Sequence, residues 1–369
     1  MAGVSAPAES RDEIFRAGID VLVNAVQACA FPGAAAAITI GGELVASKAV
    51  GRLTYDSDSP PVTPDTIYDL ASLSKVIATT AMAMLLYERG ELDLDAPVCV
   101  VLPEFAAAEG AAHDRRRREI TFRMLLLHIS GLPAYERLFE RSRTREDLVR
   151  AALALPLTAE PGFRVKYSDI GFIILGLALE RIAGEPLERF CQREIFGPLG
   201  MAHTCFCPPV SCRAAIPPTE DDRAFRGRVI QGEVHDENAW VMGGVAGHAG
   251  VFSTAHDVAR FAAAMLSGGH SILRPDTVEL FTSAVEIGGT RHALGWDVPT
   301  PPSQAGRRFS PRSFGHLGFT GTSLWIDPER QLSVILLTNR TWPDRKSDAI
   351  RAVRPAYHDA VVQAVDKHL

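Results

Sequence analysis

The strongest constraint in the sequence is a long apolar segment that directly follows a short polar turn. Residues 73–89 contain neither Gly nor Pro, are rich in Ala, Leu and Met, and are followed by Gly90. This composition predicts a helix over 73–89 that ends at Gly90. Because almost no polar face interrupts the segment, we expect the helix to be buried, with only its start reachable from solvent.

Ser72 and Lys75 stand at that start. A spacing of three residues places both side chains on one face of the first turn. The positive potential of a helix N-terminus favours an alkoxide and a neutral amine, as a serine nucleophile with a lysine base requires. The alternative is that Ser72 caps the helix and Lys75 is solvated. Only five lysines occur among the 38 Lys and Arg residues, and a desolvated Lys, unlike Arg, can lose its proton.

Composition limits the class of protein and its partners. The chain has 369 residues with 47% hydrophobic content, enough for one large domain or two smaller ones. A net charge of -6 leaves no basic footprint for nucleic acid, and we interpret the run 115–118 of four arginines as a solvated loop. The N-terminus lacks the features of a signal peptide, and no apolar span reaches 18 residues. We therefore expect a cytoplasmic protein with no membrane partner.

Two groups of residues raise the question of a metal. Cys205, Cys207 and Cys212 lack the paired spacing and the fourth ligand of a zinc site, and six cysteines fit reduced thiols. The run 235–237 (His-Asp-Glu) with His248 could hold a metal or fix loops by hydrogen bonds, and we favour the hydrogen bonds. We expect no metal and no cofactor.

Hydrophobic periodicity indicates where helices and strands lie. The N-terminal part predicts an amphipathic helix over 11–29 and a hairpin over 33–51, and helical patterns dominate from 73 to about 230. Beyond 266 the period changes to two. Strands are predicted over 293–298, 313–326 and 331–339, with a final helix from 347. The fold class is therefore α+β, with an antiparallel sheet flanked by the N- and C-terminal helices. Residues 1–62 and 232–369 form the sheet domain, and 63–231 form an inserted, mainly helical domain, with a site at their interface.

Two further polar clusters lie at element boundaries. Tyr167-Ser168-Asp169 falls between a turn and an apolar helix. His316 to Thr322 contains two glycines inside a strand-like stretch, where Gly weakens a strand unless a backbone or ligand approaches closely.

Together the three clusters resemble the serine β-lactamase and penicillin-binding-protein superfamily, in its class C β-lactamase-like branch of esterases and D-amino-acid peptidases. The first motif of that branch is S-x-x-K, the second Tyr-x-Asn, and the third Lys-Thr-Gly or His-x-Gly. Their order and spacing match this chain. Residues 126–133, 244–255 and 315–322 also resemble sequences common in the family, so the likeness covers essentially the whole chain. No G-x-S-x-G, H-E-x-x-H, Walker A or G-x-G-x-x-G motif is present.

The resemblance implies acyl transfer through a covalent acyl-serine. Ser72 attacks a carbonyl, and Lys75 and Tyr167 share proton handling, with the identity of the general base left open. The backbone N–H groups of Ser72 and Phe319 hold the oxyanion. His316 hydrogen-bonds Tyr167 or the substrate.

Two departures from the family pattern bear on substrate choice. Asp169 replaces Asn, so an acceptor-only carboxylate stands where an amide is usual, and it could hold the Lys75 ammonium. His316 replaces Lys, so a group mostly neutral at pH 7 stands where a fixed cation would bind a substrate carboxylate. Asp169 and Gly318 are expected to contact the substrate.

The expected function is that of an esterase on small neutral acyl esters. The alternatives are a D-amino-acid peptidase or amidase, a weak β-lactamase, or a catalytically silent relative that binds a peptide or cell-wall fragment. The partner is a small-molecule ester, amide or peptide. Loops such as 103–119 and 203–233 are expected to set the width of the pocket.

Overall fold

A computed structural model describes residues 11–107, 114–270 and 272–368. Residues 1–10, on which much of the expectation about a leader rests, lie outside the described residues, as do 108–113 of the loop 103–119.

The strands are named in chain order. They are β1 (Gly33–Ile40), β2 (Glu43–Gly51), β3 (Tyr68–Asp69), β4 (Cys205–Phe206), β5 (Glu220–Asp222), β6 (Arg228–Ile230), β7 (Val251–Ser253), β8 (Val285–Ile287), β9 (Thr290–His292), β10 (Phe314–Leu317), β11 (Ser323–Asp327) and β12 (Leu332–Thr338).

The α-helices are named in the same way, and none of those described is both long and apolar enough to span a membrane. They are α1 (Arg11–Ile14), α2 (Arg16–Gln27), α3 (Ala81–Glu88), α4 (Pro103–Ala106), α5 (Phe122–Leu126), α6 (Arg145–Leu153), α7 (Asp169–Ala183), α8 (Leu187–Cys191), α9 (Glu237–Val241), α10 (Ala255–Leu266), α11 (Pro275–Thr282) and α12 (Ile350–His368).

A five-stranded antiparallel sheet carries the fold, in the order β10-β11-β12-β1-β2. Strands from the two ends of the chain meet at its centre, where Ala36 pairs with Leu336. Because side chains alternate along a strand, Ala34, Ala36 and Ile38 face a cluster with residues of α2 and α12, while Ala35 and Ala37 face the main core. The predicted α+β class, with terminal helices against an antiparallel sheet, is confirmed. The division at residues 62 and 232 stays a prediction.

Two strand predictions were wrong in detail. The stretch 313–326 is a hairpin of β10 and β11, since Gly321 takes a φ of +109° and turns the chain. The stretch 293–298 has only one isolated bridge, between Asp297 and Gly315. Gly295 explains the second error: its φ is +80°, and its N–H donates to the carbonyl of Leu126 rather than to the sheet.

The buried helix predicted over 73–89 is present with a change of winding. A 3₁₀ turn (Ala71–Leu73) leads into a π-helical stretch (Lys75–Thr80), and α3 completes the segment. Every residue from Leu73 to Leu86 is buried. π-Helical turns occur frequently at functional sites.

The glycine-rich bend over 243–250 packs directly on α7. A Cβ added to Gly176 would lie 2.8 Å from the Cα of Gly247, and one added to Gly247 would meet the carbonyl oxygen of Phe172. The bend therefore touches the helix backbone, and side chains at either position would push the two apart. The carbonyl of Gly247 also accepts a hydrogen bond from Thr79 Oγ1 at 2.6 Å.

Gly176→Ala should destabilise the protein by about 1–3 kcal/mol, the usual result of overpacking a tight contact. Gly171→Ala is the matched control, since it lies in the same helix and its added Cβ would meet only ordinary contacts, the nearest at 3.4 Å. There the better helix propensity of Ala should leave stability unchanged or raise it by up to about 1 kcal/mol. Urea unfolding curves measure both. Equal effects of the two variants would show that the helix–bend contact is not tight.

Candidate active site

The turn before Lys75 is held in an unusual backbone conformation. Ala71 has a φ of +47°, which a residue with a Cβ rarely adopts. The buried carboxylate of Asp69 fixes this turn, because Oδ1 accepts the Ala71 N–H at 2.8 Å and Oδ2 accepts the His235 N–H at 2.7 Å. Ser74 Oγ donates to the Ala71 carbonyl at 2.7 Å. These bonds place the Ser72 side chain at the surface of a cavity.

Lys75 is completely buried directly beneath Ser72. Its Nζ lies 3.0 Å from Ser72 Oγ, 2.6 Å from Asp169 Oδ1 and 3.0 Å from the carbonyl oxygen of His248. Three acceptors match the three N–H bonds of an ammonium. The same geometry suits a neutral amine, which would donate to Asp169 and His248 and accept the hydroxyl proton of Ser72.

The charge of Lys75 depends on two opposing effects. Burial lowers the pKa of the Lys75 amine, but the Asp169 carboxylate, with a contribution from Tyr167, outweighs it and leaves the pKa above its ordinary value. Lys75 is therefore an ammonium at neutral pH, as the expected contact with Asp169 implied.

Tyr167 completes the group around Ser72. The Lys75 Nζ lies 4.9 Å from the centroid of the Tyr167 ring. Burial raises the pKa of the Tyr167 hydroxyl to about 12, although the positive charge of Lys75 lowers it in part. The residue as a whole is 40% exposed, because its ring forms part of the cavity wall while its hydroxyl faces the buried lysine. Tyr167 is thus a neutral phenol at rest.

His316 is a neutral imidazole on β10. Its Nδ1 lies 2.8 Å from the Leu317 carbonyl, so Nδ1 carries the proton and Nε2 is free to accept. Burial, with the nearby charge of Lys75, lowers the pKa of His316 to about 3. The rings of His316 and Tyr167 stand 5.9 Å apart, and the hydrogen bonds of the described residues include none between them. Tyr167 and the substrate were the two hydrogen-bond partners expected for His316. Since Tyr167 is not bonded to it, a bond to the substrate stays the prediction.

The turn between β10 and β11 rests on the Ser72 turn. Thr320 Oγ1 donates to the Asp69 carbonyl at 2.8 Å, and Thr322 Oγ1 donates to the Leu70 carbonyl at 2.9 Å. A Cβ at Gly318 would collide with Leu70 and Thr322. The N–H of Phe319 has no acceptor within the described parts of the chain.

A cavity of about 860 Å³ opens over these residues. The site residues expected from the sequence all line it, except Lys75, which lies below its floor. Its other walls come from 235–237, 248–249, 290–304, 340–354 and Tyr135. Loops 103–119 and 203–233 were expected to set the width of the pocket. That expectation was wrong, because none of their described residues lines the cavity. Glu220 acts only indirectly, by pairing with Arg345.

The two histidines considered as metal ligands have carboxylate partners instead, and a third buried histidine, which was not a candidate, bonds to the backbone. His248 Nε2 lies 2.8 Å from Asp236 Oδ1, and His235 Nε2 lies 2.8 Å from Glu220 Oε2. His128 Nδ1 accepts the Ser168 N–H at 3.1 Å. Among the residues that the structure describes, no group of three or more His, Cys, Asp and Glu side chains could hold a metal ion.

Three contributors to the site were missed at the level of sequence. The His248 group that holds Lys75 is a backbone carbonyl, which no residue type encodes. Asp69 stands two residues before Ala71, the spacing of an Asx-turn, and this signal could have identified it. Arg354 is a charged residue at a buried position of the amphipathic helix α12, between Ile350 and Tyr357, and that departure from the pattern could have marked it.

Comparisons with known proteins agree with this geometry. The sequence profile described as "Beta-lactamase" matches residues 19–357. A protein from Salmonella agona (strain SL483), provisionally named a D-alanyl-D-alanine carboxypeptidase, is 35% identical over 313 residues, which cover 75% of this chain and 70% of the relative. One of the same name from Escherichia coli (strain K12) is 33% identical over 307 residues, with the same coverage.

Solved structures show the same fold. EstCE1, a hydrolase with promiscuous acyltransferase activity, superposes with a TM-score of 0.77 at 24% identity, covering 95% of this chain and 99% of that one. A penicillin-binding-protein homologue from Caulobacter crescentus superposes with a TM-score of 0.74 at 20% identity over both full chains.

Proposed function

The chain belongs to the β-lactamase family and is a serine hydrolase, and from that premise we propose that it cleaves small carboxylic esters through an acyl intermediate on Ser72. The observation that carries the proposal is the 3.0 Å contact between Ser72 Oγ and the buried Nζ of Lys75. A hydroxyl at hydrogen-bond distance from a group that can take its proton is the arrangement of an activated nucleophile.

The first step is attack by Ser72 on the ester carbonyl. Both candidate bases, Lys75 and Tyr167, hold their protons in the resting enzyme at neutral pH, so the reactive form is the minority in which this pair has lost one proton. In that form the Ser72 proton passes to the pair as the Oγ–C bond forms. The pair then returns the proton to the departing alkoxide, which leaves as an alcohol.

The oxyanion of the tetrahedral intermediate lies between the N–H groups of Ser72 and Phe319. The free N–H of Phe319 supports this role, because a preorganised donor loses no other bond when charge develops. A water molecule then attacks the acyl carbonyl, releases the carboxylic acid and restores Ser72. His316, through its unprotonated Nε2, can accept a hydrogen bond from this water or from the substrate.

Substrate preference follows from the charges nearest the reacting group. His316 offers a hydrogen bond instead of the cation that would bind a carboxylate beside the scissile bond. Asp169 lines the cavity close by and neutralises the Lys75 ammonium at 2.6 Å, so this pair offers an anion no net positive charge. Small neutral acyl groups therefore fit the site better than β-lactams.

A second candidate is a D-amino-acid peptidase. The names of the relatives favour it, and so do basic side chains that line the cavity and could hold a peptide carboxylate. These residues are Arg340, Arg345, Lys346 and Arg351. Release of D-alanine from D-alanyl-D-alanine peptides, compared with ester hydrolysis, distinguishes the two candidates.

We expect p-nitrophenyl butyrate to be hydrolysed at least about 100-fold faster than nitrocefin in kcat/KM, roughly the worth of one charge-assisted contact that the β-lactam would lack. The measurement is a side-by-side assay at pH 7. Faster turnover of nitrocefin would contradict the esterase assignment and would mean that another cation replaces the missing lysine.

Ser72→Ala is the control for that assay. It should abolish turnover of both substrates while leaving the unfolding midpoint close to that of the parent, because the Ser72 side chain makes no helix-capping bond. Peptide mapping by mass spectrometry should find the butyryl group on Ser72 in the parent. An adduct on another residue, or activity in the alanine variant, would refute the mechanism.

The pH dependence of kcat/KM should respond to Asp169. In the parent, kcat/KM for the ester should rise with pH above 7, because the reactive form requires loss of a proton from the Lys75–Tyr167 pair. Asp169→Asn removes the charge that raises the Lys75 pKa, leaves burial to lower it, and should shift the rising limb to lower pH.

Asp348→Asn is the matched control for this shift. It removes the same charge from an exposed position on the same cavity, without contact to Lys75, and should leave the limb in place. If the rising limb of the kcat/KM profile stays at the same pH in Asp169→Asn, Lys75 does not carry the relevant proton.

A further inference from the structure

We propose that Arg354 is a positioning residue that polarises the Gly318–Phe319 peptide group and so strengthens the Phe319 N–H as an oxyanion donor. This inference rests on the proposed function, which assigns that N–H to the oxyanion. It gives a role in the reaction to a side chain that lies on the C-terminal helix, outside the three sequence motifs.

Arg354 is a buried guanidinium at the edge of the cavity. It is 6% exposed, and its Nη2 donates to the Gly318 carbonyl at 2.6 Å and to the Thr322 carbonyl at 2.8 Å. Across the residues described in the structure it forms no ion pair with a carboxylate, and its Nε has no partner. An unneutralised positive charge therefore points at the turn between β10 and β11.

The hydrogen bond from Arg354 to the Gly318 carbonyl acts on the Phe319 N–H, which is the proposed oxyanion donor. The Gly318 carbonyl and the Phe319 N–H belong to one planar peptide unit, joined by a C–N bond with partial double-bond character. A charge-assisted hydrogen bond to the oxygen withdraws electron density from the nitrogen, and hydrogen bonds linked in this way strengthen one another. The Phe319 N–H thus becomes a stronger donor on its opposite side, where the oxyanion forms.

The same bond fixes the orientation of the peptide plane relative to Ser72. Thr320 and Thr322 already join the turn to the carbonyls of Asp69 and Leu70. Arg354 holds the opposite side of the turn through two carbonyls. The two oxyanion donors, Ser72 N–H and Phe319 N–H, are consequently held by one connected set of hydrogen bonds.

A purely structural role explains Arg354 poorly. Both carbonyls have another donor, since Gly321 N–H lies 3.1 Å from the Gly318 oxygen and Gly318 N–H lies 2.8 Å from the Thr322 oxygen. Removing Arg354 would leave neither carbonyl unsatisfied. A buried charge without a counter-ion lowers stability, and replacing buried charges by apolar side chains is often neutral or stabilising.

The test is Arg354→Met, which keeps the apolar stem and removes the charge. We expect kcat for p-nitrophenyl butyrate to fall by about 10- to 100-fold, somewhat less than the usual loss of a whole oxyanion donor, with KM changed by less than about threefold. Affinity for phenylboronic acid, which forms a tetrahedral adduct with a nucleophilic serine, should fall by a similar factor. The unfolding midpoint should stay the same or rise.

Two further substitutions separate charge from structure. Arg354→Gln keeps a neutral N–H donor for the Gly318 carbonyl, and Arg354→Lys keeps the charge. Polarisation predicts that Lys recovers more of kcat and of boronate affinity than Gln does. If the Arg354→Met variant fails to fold, the comparison of Arg354→Gln with Arg354→Lys decides alone. Values of kcat and boronate affinity in Arg354→Gln equal to or greater than those in Arg354→Lys would overturn the proposal.

Arg117 is a matched control far from the cavity. It is also a buried guanidinium bonded to backbone carbonyls, those of Phe105 and Leu155 at 2.7 Å and that of Leu153. Arg117→Met should lower the unfolding midpoint, because these bonds join segments that are otherwise separate, and should leave kcat of the folded enzyme unchanged.

The outcomes distinguish this inference from the proposed function. If Ser72→Ala abolishes turnover and the parent forms the adduct, but Arg354→Met retains kcat and boronate affinity within about twofold, only the role of Arg354 is refuted. If the parent forms no adduct on Ser72, the proposed function fails first. A fall in kcat for Arg117→Met as large as that for Arg354→Met would also refute the specific role.

Discussion

The arrangement of the site depends on one buried ion pair, between Lys75 and Asp169. Lys75 is fully buried, and an ammonium in such a place needs a partner, since burying an unpaired charge costs several kcal/mol. Asp169 supplies it from the first residue of α7, and the His248 carbonyl supplies a third acceptor from the glycine-rich bend. A single nitrogen atom thus joins three segments that lie far apart in the sequence and places all of them beneath Ser72.

The ion pair also sets the chemistry available at rest. Burial favours the neutral amine that a nucleophilic serine needs, whereas the carboxylate favours the ammonium, and the carboxylate prevails. With Tyr167 also protonated, the resting enzyme holds one proton more than its reactive form. The structure around the ion pair is correspondingly fixed. Hydrogen bonds of Asp69 hold the strained turn at Ala71, and two threonines join the β10–β11 turn to it. The groups around Ser72 therefore keep their positions when the proton leaves.

Much of this was predictable from short-range patterns. The three-residue spacing of Ser72 and Lys75 and the strands β1 and β12 are local properties, and the structure shows both. The contact between Lys75 and Asp169 joins residues 94 positions apart, and it was expected from the resemblance to the family rather than from a local pattern. The errors at 293–298 and 313–326 arose at Gly295 and Gly321, where a positive φ overrides the two-residue period. The walls of the cavity and the bonds of Arg354 depend on which segments fold onto each other, and a single sequence carries little of that information.

The most direct test of the account is the protonation state of Lys75 itself. The chain has only five lysines, so ¹³C-labelled lysine gives a spectrum in which Lys75 can be assigned by its loss in Lys75→Arg. A pH titration should find the Lys75 signal still that of an ammonium at pH values where an ordinary lysine, with a pKa of about 10.4, begins to lose its proton. The same signal should titrate at lower pH in Asp169→Asn. A Lys75 that is neutral at pH 7 in the parent would contradict the central claim that the ion pair keeps the lysine charged in the resting enzyme.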